Sequence, residues 1–219
     1  DPNETGVSVC GAMPPGWAGY CTDICKAQVA VSDVYTIPDR PYYGVKLVYD
    51  NELLHPCGIL NMPDAVFPDL ENCGWNMSSG TTASIRDVVH LTEPNGFWQG
   101  AFVWFTGRQD NIAYCRTITD SNDIDNTITF DLCEAGVDRT KKYWIYNHPH
   151  YLNDPGEYYW DPNDADGYYT IYYYKRPNET LQDLNSRMKV LSKSAGIRFS
   201  VSSKNLVIEG LKFRNCQTR

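Results

Sequence analysis

The sequence predicts an all-β fold, a β-sandwich or barrel-like module with one short helix, stapled by disulfides. Three observations carry this expectation. Strand formers dominate, with sixteen Tyr and six Trp beside abundant Val, Ile and Thr. Short apolar runs alternate with turn chemistry at regular intervals. Eight cysteines, an even count, stand in an acidic chain of formal charge −8, which suits an oxidising compartment.

Taken in order, residues 1–28 form an irregular segment rich in Cys, Gly and Pro. The β-rich module spans 29–178, with its first run, AQVAVSDVYTI, beginning at Ala27. There follow YGVKLVYD, SIRDVVHLT, FWQGAFVWFTG, a hairpin around Cys115, KYWIYNH, EYYW and YYTIYYY. The separators PDRP, EPNG, SNDID, DPG and DPNDADG are Pro, Gly, Asn and Asp clusters that favour turns. In the last segment, 179–219, a helix is expected from Glu179 to Ser194. Leu181, Leu184, Met188 and Leu191 recur there at spacings of three and four after Asn178 as a cap. Two short strands, IRFSVSS and NLVIEGLKF, close the sequence.

The cysteines stand at Cys10, Cys21, Cys25, Cys57, Cys73, Cys115, Cys133 and Cys216. A metal reading is weaker than a disulfide one, because only Cys21 and Cys25 are close and no second pair or His cluster completes a site. Folding AYCRTITD onto NTITFDLC about Ile124 sets Cys115 opposite Cys133, a candidate bridge. Cys57 and Cys73 enclose a Pro-rich loop and form a second candidate, while the other four stay unassigned. Sequons at Asn3, Asn76 and Asn178 join the cysteines in pointing to a secreted, extracellular glycoprotein. The opening DPNET, without Met, reads as a mature or excised segment.

Charge excludes some partners. The pI is near 4.9 and no Lys/Arg cluster interrupts the acidity, so nucleic acid and anionic membrane lack their basic footprint. No apolar run reaches the roughly eighteen residues that a spanning helix needs.

Residues 151–177 hold eight tyrosines and a tryptophan. As a hairpin about DPNDADG, this stretch places Tyr158 and Trp160 on one face and Tyr159 on the other, with Tyr168, Thr170, Tyr172 and Tyr174 alternating against Tyr169, Ile171 and Tyr173. Cross-strand packing is the simpler reading. Sugar stacking on Tyr158, Tyr159, Trp160 and Tyr172 is the functional one, since flat rings accept the apolar face of a pyranose. The same turn fails as an EF-type calcium loop, because Pro162 falls at the first ligand position when Gly167 is aligned. His148 and His150 lack a third ligand. Asp154, Glu157 and Asp161 could form a carboxylate pair, but Glu157 reads better as the cap of the DPG bend. No catalytic residue, metal or cofactor is expected in this sequence.

The ending SKNLVIEGLKFRNC resembles a rung of a right-handed parallel β-helix. Upstream, VKLVYDNELLHPCGILNMPD, FWQGAFVWF, YWIYNHPHYLNDPGEYYWD and GYYTIYYY follow in the order found in pectin-lyase-like glycoside hydrolases and polysaccharide lyases that carry a β-rich module near the N-terminus. The resemblance runs across about residues 42–216. It implies that the module leads into the first rung of a β-helix, and that the family's catalytic groups lie on later rungs than this one. An uncovered rung exposes an apolar edge at Leu206, Ile208 and Leu211, which calls for another copy of the chain or a following domain. The expected function is therefore an extracellular structural glycoprotein module that assembles through this edge. The alternatives are the N-terminal part of a secreted glycoside hydrolase or polysaccharide lyase, or a non-catalytic module that binds polysaccharide.

Glycans are expected on Asn3, Asn76 and Asn178. Enzymatic deglycosylation in heavy-oxygen water, followed by peptide mapping, should label all three; three unlabelled asparagines would remove the secreted-glycoprotein expectation.

Overall fold

The computed structural model describes residues 12–13, 18–19, 23–31, 34, 45–50, 52–59, 74–106, 113–133, 141–162 and 167–191. Asn3, Cys10, Cys21, Cys73, Cys216, the centre of DPNDADG and the whole NLVIEGLKF edge lie outside them. The strands are β1 (Ala12–Met13), β2 (Ala18–Gly19), β3 (Ile24–Ala30), β4 (Leu47–Tyr49), β5 (Glu52–Leu53), β6 (Trp75–Asn76), β7 (Ser79–Gly80) and β8 (Ser84–Arg86). They continue with β9 (Phe102–Thr106), β10 (Ala113–Asn122), β11 (Thr127–Phe130), β12 (Lys142–Tyr146), β13 (Tyr158–Asp161), β14 (Tyr168–Tyr174) and β15 (Met188–Leu191). One α-helix, α1 (Leu181–Arg187), precedes β15. The described residues are thus mostly β with one short helix, as the composition predicts.

Seven strands form one sheet in the order β6-β12-β9-β10-β11-β8-β7. Its two outer strands belong to a single bent segment. Trp75 pairs with Tyr143 on one side, and Gly80 pairs with Ile85 on the other. Between them the Met77 N–H donates to the Lys141 carbonyl and the Ser78 N–H to that of Arg86. The sheet therefore closes on itself as a barrel, which removes its free edges. Register divides the side chains between two faces. Trp75, Tyr143, Phe105 and Tyr114 align across four strands on the interior side, where Met77, Ile85, Val103, Ile118, Ile128 and Ile145 are buried. Trp144, Trp104 and Cys115 align on the outer side, next to Tyr146 and Phe102.

Two four-stranded sheets pack beside the barrel, β13-β14-β3-β2 and β1-β15-β4-β5. Tyr158, Trp160, Ile171 and Tyr173 of the first are fully buried, and Trp160 lies 5.4 Å from Phe102 between ring centroids. The connector Leu54–Ile59 stitches the three sheets together. The Leu54 N–H donates to Leu47, the Cys57 N–H to Tyr158, and the Ile59 N–H to Ile145. Gly58 is required by contact, since a Cβ there would stand 2.6 Å from the Trp144 ring.

Asn147 completes the seam. Its backbone takes the left-handed conformation at φ 57°, and its N–H donates to the Cys57 carbonyl over 2.7 Å. The carboxamide Nδ2 donates to the Trp160 carbonyl (2.8 Å), and Oδ1 accepts from the Trp160 N–H (2.9 Å). A single buried side chain thus continues the β12 ladder into β13, satisfying two backbone groups that would otherwise be orphaned.

The hairpin entering β13 is set by Glu157. The Glu157 carboxylate, 6% exposed, accepts from the Asp154 N–H at 3.2 Å, so it caps the DPG bend as the sequence suggests. Gly156 supplies the turn at φ 99°. Burial pushes the Glu157 carboxyl up to about 7.

Three expectations are corrected. The helix ends at Arg187 and its cap is Thr180, not Asn178: Thr180 and Asp183 form a reciprocal capping box. Beyond it, Met188–Leu191 pairs with β4 and β1 as a strand, because Met188 and Val190 bury better as alternating strand residues. SIRDVVHLT stops being a strand at Arg86, because the Asp87 carboxylate captures the Val89 and His90 N–H groups into a turn. The Cys115–Cys133 bridge is not formed, and no disulfide joins any two of Cys25, Cys57, Cys115 and Cys133. Thr117 and the residues before it in β10 pair with β9, whereas the chain after Phe130 follows residues 82–83 through Cys133 N–H to Thr82 carbonyl. Cys115 Sγ instead lies 2.9 Å from the Tyr146 hydroxyl. β3 runs from Ile24 to Ala30, and β15 pairs with both β1 and β4.

Removing the Asn147 carboxamide should cost roughly 2–4 kcal/mol, the penalty of two unpaired buried backbone groups. Urea denaturation of Asn147→Gly, which keeps the left-handed backbone without strain, isolates this from backbone effects. A loss below about 0.5 kcal/mol, the scale of an ordinary surface substitution, would show that the clamp is dispensable.

Glu157 predicts a pH dependence. Its folded value near 7 exceeds the ordinary 4.5, so the folded chain holds the proton more tightly between those limits. Stability from this group is complete below about pH 4.5, falls as pH rises through 7 and is level above. The difference should be on the order of 2 kcal/mol. Glu157→Gln should flatten it; identical pH–stability curves for the two proteins would contradict the assignment.

Candidate functional site

Strand alternation gives the β13-β14-β3 sheet two unlike faces. Inward lie Tyr158, Trp160, Tyr169, Ile171, Tyr173, Cys25, Ala27 and Val29, all buried. Outward lie Tyr159 and Asp161 on β13, Tyr168, Thr170, Tyr172 and Tyr174 on β14, and Ile24, Lys26 and Gln28 on β3. Register lines them up in rows: Tyr159 opposite Tyr172 opposite Lys26, and Asp161 opposite Thr170 opposite Gln28. Tyr168 is 45% exposed, Lys26 and Gln28 are exposed, and Tyr159, Tyr172 and Tyr174 are half-buried.

The four residues proposed from sequence for sugar stacking therefore divide. Tyr158 and Trp160 are corrected to core positions, with no accessible surface; the Tyr158 hydroxyl donates to the Val45 carbonyl at 3.1 Å. Tyr159 and Tyr172 remain on the outer face, stacked on each other with centroids 5.9 Å apart and planes 25° from parallel. Burial and the nearby Asp161 carboxylate push the Tyr159 phenol up, so it stays a neutral hydrogen-bond donor at any physiological pH. The arrangement offers flat apolar rings edged by hydroxyl, carboxamide, ammonium and carboxylate groups. Such a surface can hold a ring-shaped, hydroxyl-rich ligand by stacking and edge hydrogen bonds.

A second constellation, not found from sequence, gathers around Asp87 and Tyr143. Asp87, 1% exposed, accepts from the Tyr143 hydroxyl at 2.9 Å and stands 2.8 Å from His90 Nδ1. The His90 ring stacks on Trp75 at 4.4 Å. Nearby, His148 Nε2 donates to the Phe97 carbonyl (2.7 Å) and Nδ1 accepts from the His150 N–H (3.3 Å). Burial lowers the His148 pKa, consistent with a neutral ring locked by two backbone partners. The Asp-x-x-His spacing at 87–90 was the available signal, but its meaning depended on Tyr143, fifty-six residues away in sequence.

Of the three carboxylates weighed from sequence, Glu157 faces the turn interior, Asp161 lies on the outer face and Asp154 is exposed. Among the described residues no group of three or more His, Cys, Asp or Glu gathers in metal-binding geometry. No helix among them is long and apolar enough to cross a membrane. Asn76 and Asn178, two of the three sequon asparagines, are exposed.

No family model matches this sequence, and no curated protein matches it. Among solved structures, a glycoside hydrolase has a similar fold, with a TM-score of 0.50 and 15% identity over 84% of this chain. The chain spans 32% of that hydrolase's length.

Proposed function

We propose that this chain is a carbohydrate-binding β-module of a larger carbohydrate-active protein, and that it presents its tyrosine face to a polysaccharide. The observation that carries the reading is the concentration of Tyr159, Tyr168, Tyr172 and Tyr174 on one solvent-facing side of a short sheet. The fold likeness to part of a glycoside hydrolase supports it. In this reading NLVIEGLKF begins a right-handed β-helix that continues beyond the module, the chain is secreted, and catalysis belongs to later rungs. The assembly edge at Leu206, Ile208 and Leu211 then receives a following rung or a second copy. The carbohydrate reading is preferred over a purely structural one because the outward face combines stacked tyrosine rings with hydroxyl, carboxamide, ammonium and carboxylate edges.

Retention on a panel of immobilised neutral and acidic polysaccharides tests it. At least one should retain the folded chain. Tyr159→Ala and Tyr172→Ala should each weaken retention about fivefold, at about 1 kcal/mol per aromatic contact. Failure of every polysaccharide to retain the parent, or full retention by the folded double variant, would refute the proposal.

A further inference from the structure

The tyrosine face contains a pair placed for covalent chemistry, independently of whether it binds sugar. Tyr159 and Tyr172 are direct cross-strand partners in an antiparallel ladder. Cross-strand neighbours hold their Cβ atoms about 4.5–5.5 Å apart. Their rings are stacked, with centroids 5.9 Å apart and planes 25° from parallel, so the two phenols are direct neighbours. Both rings are half-buried, so each keeps part of its surface accessible to small solvent species.

We propose that Tyr159 and Tyr172 form an intramolecular dityrosine cross-link when a haem peroxidase and hydrogen peroxide are supplied. Each phenol gives up one electron and one proton. The two phenoxyl radicals couple through the carbons ortho to their hydroxyls, and both rings regain aromaticity. One carbon–carbon bond forms, two hydrogens leave the pair, and one hydrogen peroxide is reduced to two waters. The product ties edge strand β13 to β14 and fixes the outward face in one geometry.

Among the described residues, several competing sinks for the oxidant are shielded. Reaction at cysteine needs the thiolate, and burial pushes the Cys115 thiol up to about 12 and Cys57 higher still. Trp160 and Tyr158 have no accessible surface. The most open phenol, Tyr168, is the internal control: it lies opposite Ala30 on β3 and has no stacked tyrosine among the described residues, so its radical has no neighbour within the chain to couple with there.

The test treats the full chain, dilute and folded, with a haem peroxidase and one equivalent of hydrogen peroxide. Blue dityrosine fluorescence should appear in monomeric protein, and digestion should yield a linked peptide pair joining residues 159 and 172, two hydrogens lighter than its parts. Tyr159→Phe and Tyr172→Phe, which keep the packed ring, should each abolish that pair, whereas Tyr168→Phe should leave it. Unfolding in urea beforehand should erase the selectivity. A linkage mapping to other tyrosines, a product formed only between chains, or no dityrosine in folded protein would each overturn the proposal.

Discussion

Three sheets meet in this chain at one amide. The Asn147 carboxamide donates to and accepts from the Trp160 backbone, while its own N–H reaches Cys57. Each of these contacts belongs to a different structural unit: β12 of the barrel, β13 of the tyrosine sheet, and the connector that also pairs with β4. A side chain of this shape can imitate a strand neighbour because it presents an N–H donor and a carbonyl acceptor side by side in a peptide-like plane. The left-handed backbone at Asn147 ends β12 and turns its amide into the seam, a conformation that Asn tolerates better than most residues. The clamp adds to the contacts of His148, Glu157 and Tyr158 that direct the chain from Tyr146 to Tyr158, and it is the one that joins β12 to the Trp160 backbone.

Aromatic packing supplies the bulk of the burial around that seam. Phe102, Trp144, Tyr146, Tyr158 and Trp160 fill the layer between barrel and sheet, in offset or tilted contacts with centroids 4.7 to 6.4 Å apart. Such large rings remove much apolar area per residue, which a module built of short strands needs. The cost is local: the Trp98 and Trp160 indole N–H groups find no hydrogen-bond partner among the described residues. That packing can tolerate two such groups indicates that ring shape, more than polar satisfaction, determined these positions. The same alternation that sends Trp160 inward sends Tyr159 outward, so the functional face is a direct consequence of the core.

Much of this was legible in the sequence where the signal was local. The Tyr158–Tyr174 hairpin, its two-faced alternation, the β10–β11 turn and the capping role of Glu157 all follow from period-two patterning and turn residues over short spans. The β10–β11 register was close: a bulge between Ile118 and Asp120 shifts the pairing by one. The cysteine pairing failed because hairpin arithmetic ignores competition from β9 and from residues 82–83 for the two ends of the hairpin. The long helix failed because Met188 fits both periodicities, with Leu191 extending the helical stripe and Val190 the strand alternation, and only the distant β4 decides between them. Stacking at Tyr158 and Trp160 was misassigned because alternation separates two faces without saying which one meets the core. Asn147 and Asp87 were invisible, since each is a single polar residue whose partners are remote in sequence.

Amide hydrogen exchange reads the Asn147 clamp residue by residue. If Asn147 joins the units, the amides of Asn147, Cys57 and Trp160 open only with the whole fold and exchange together in the slowest class. The turn at Val88–His90, which is largely exposed, should exchange far earlier. Exchange of the Trp160 amide on the timescale of that turn, while the barrel strands β9 and β12 stay protected, would contradict the account: the tyrosine sheet would then open independently of the barrel.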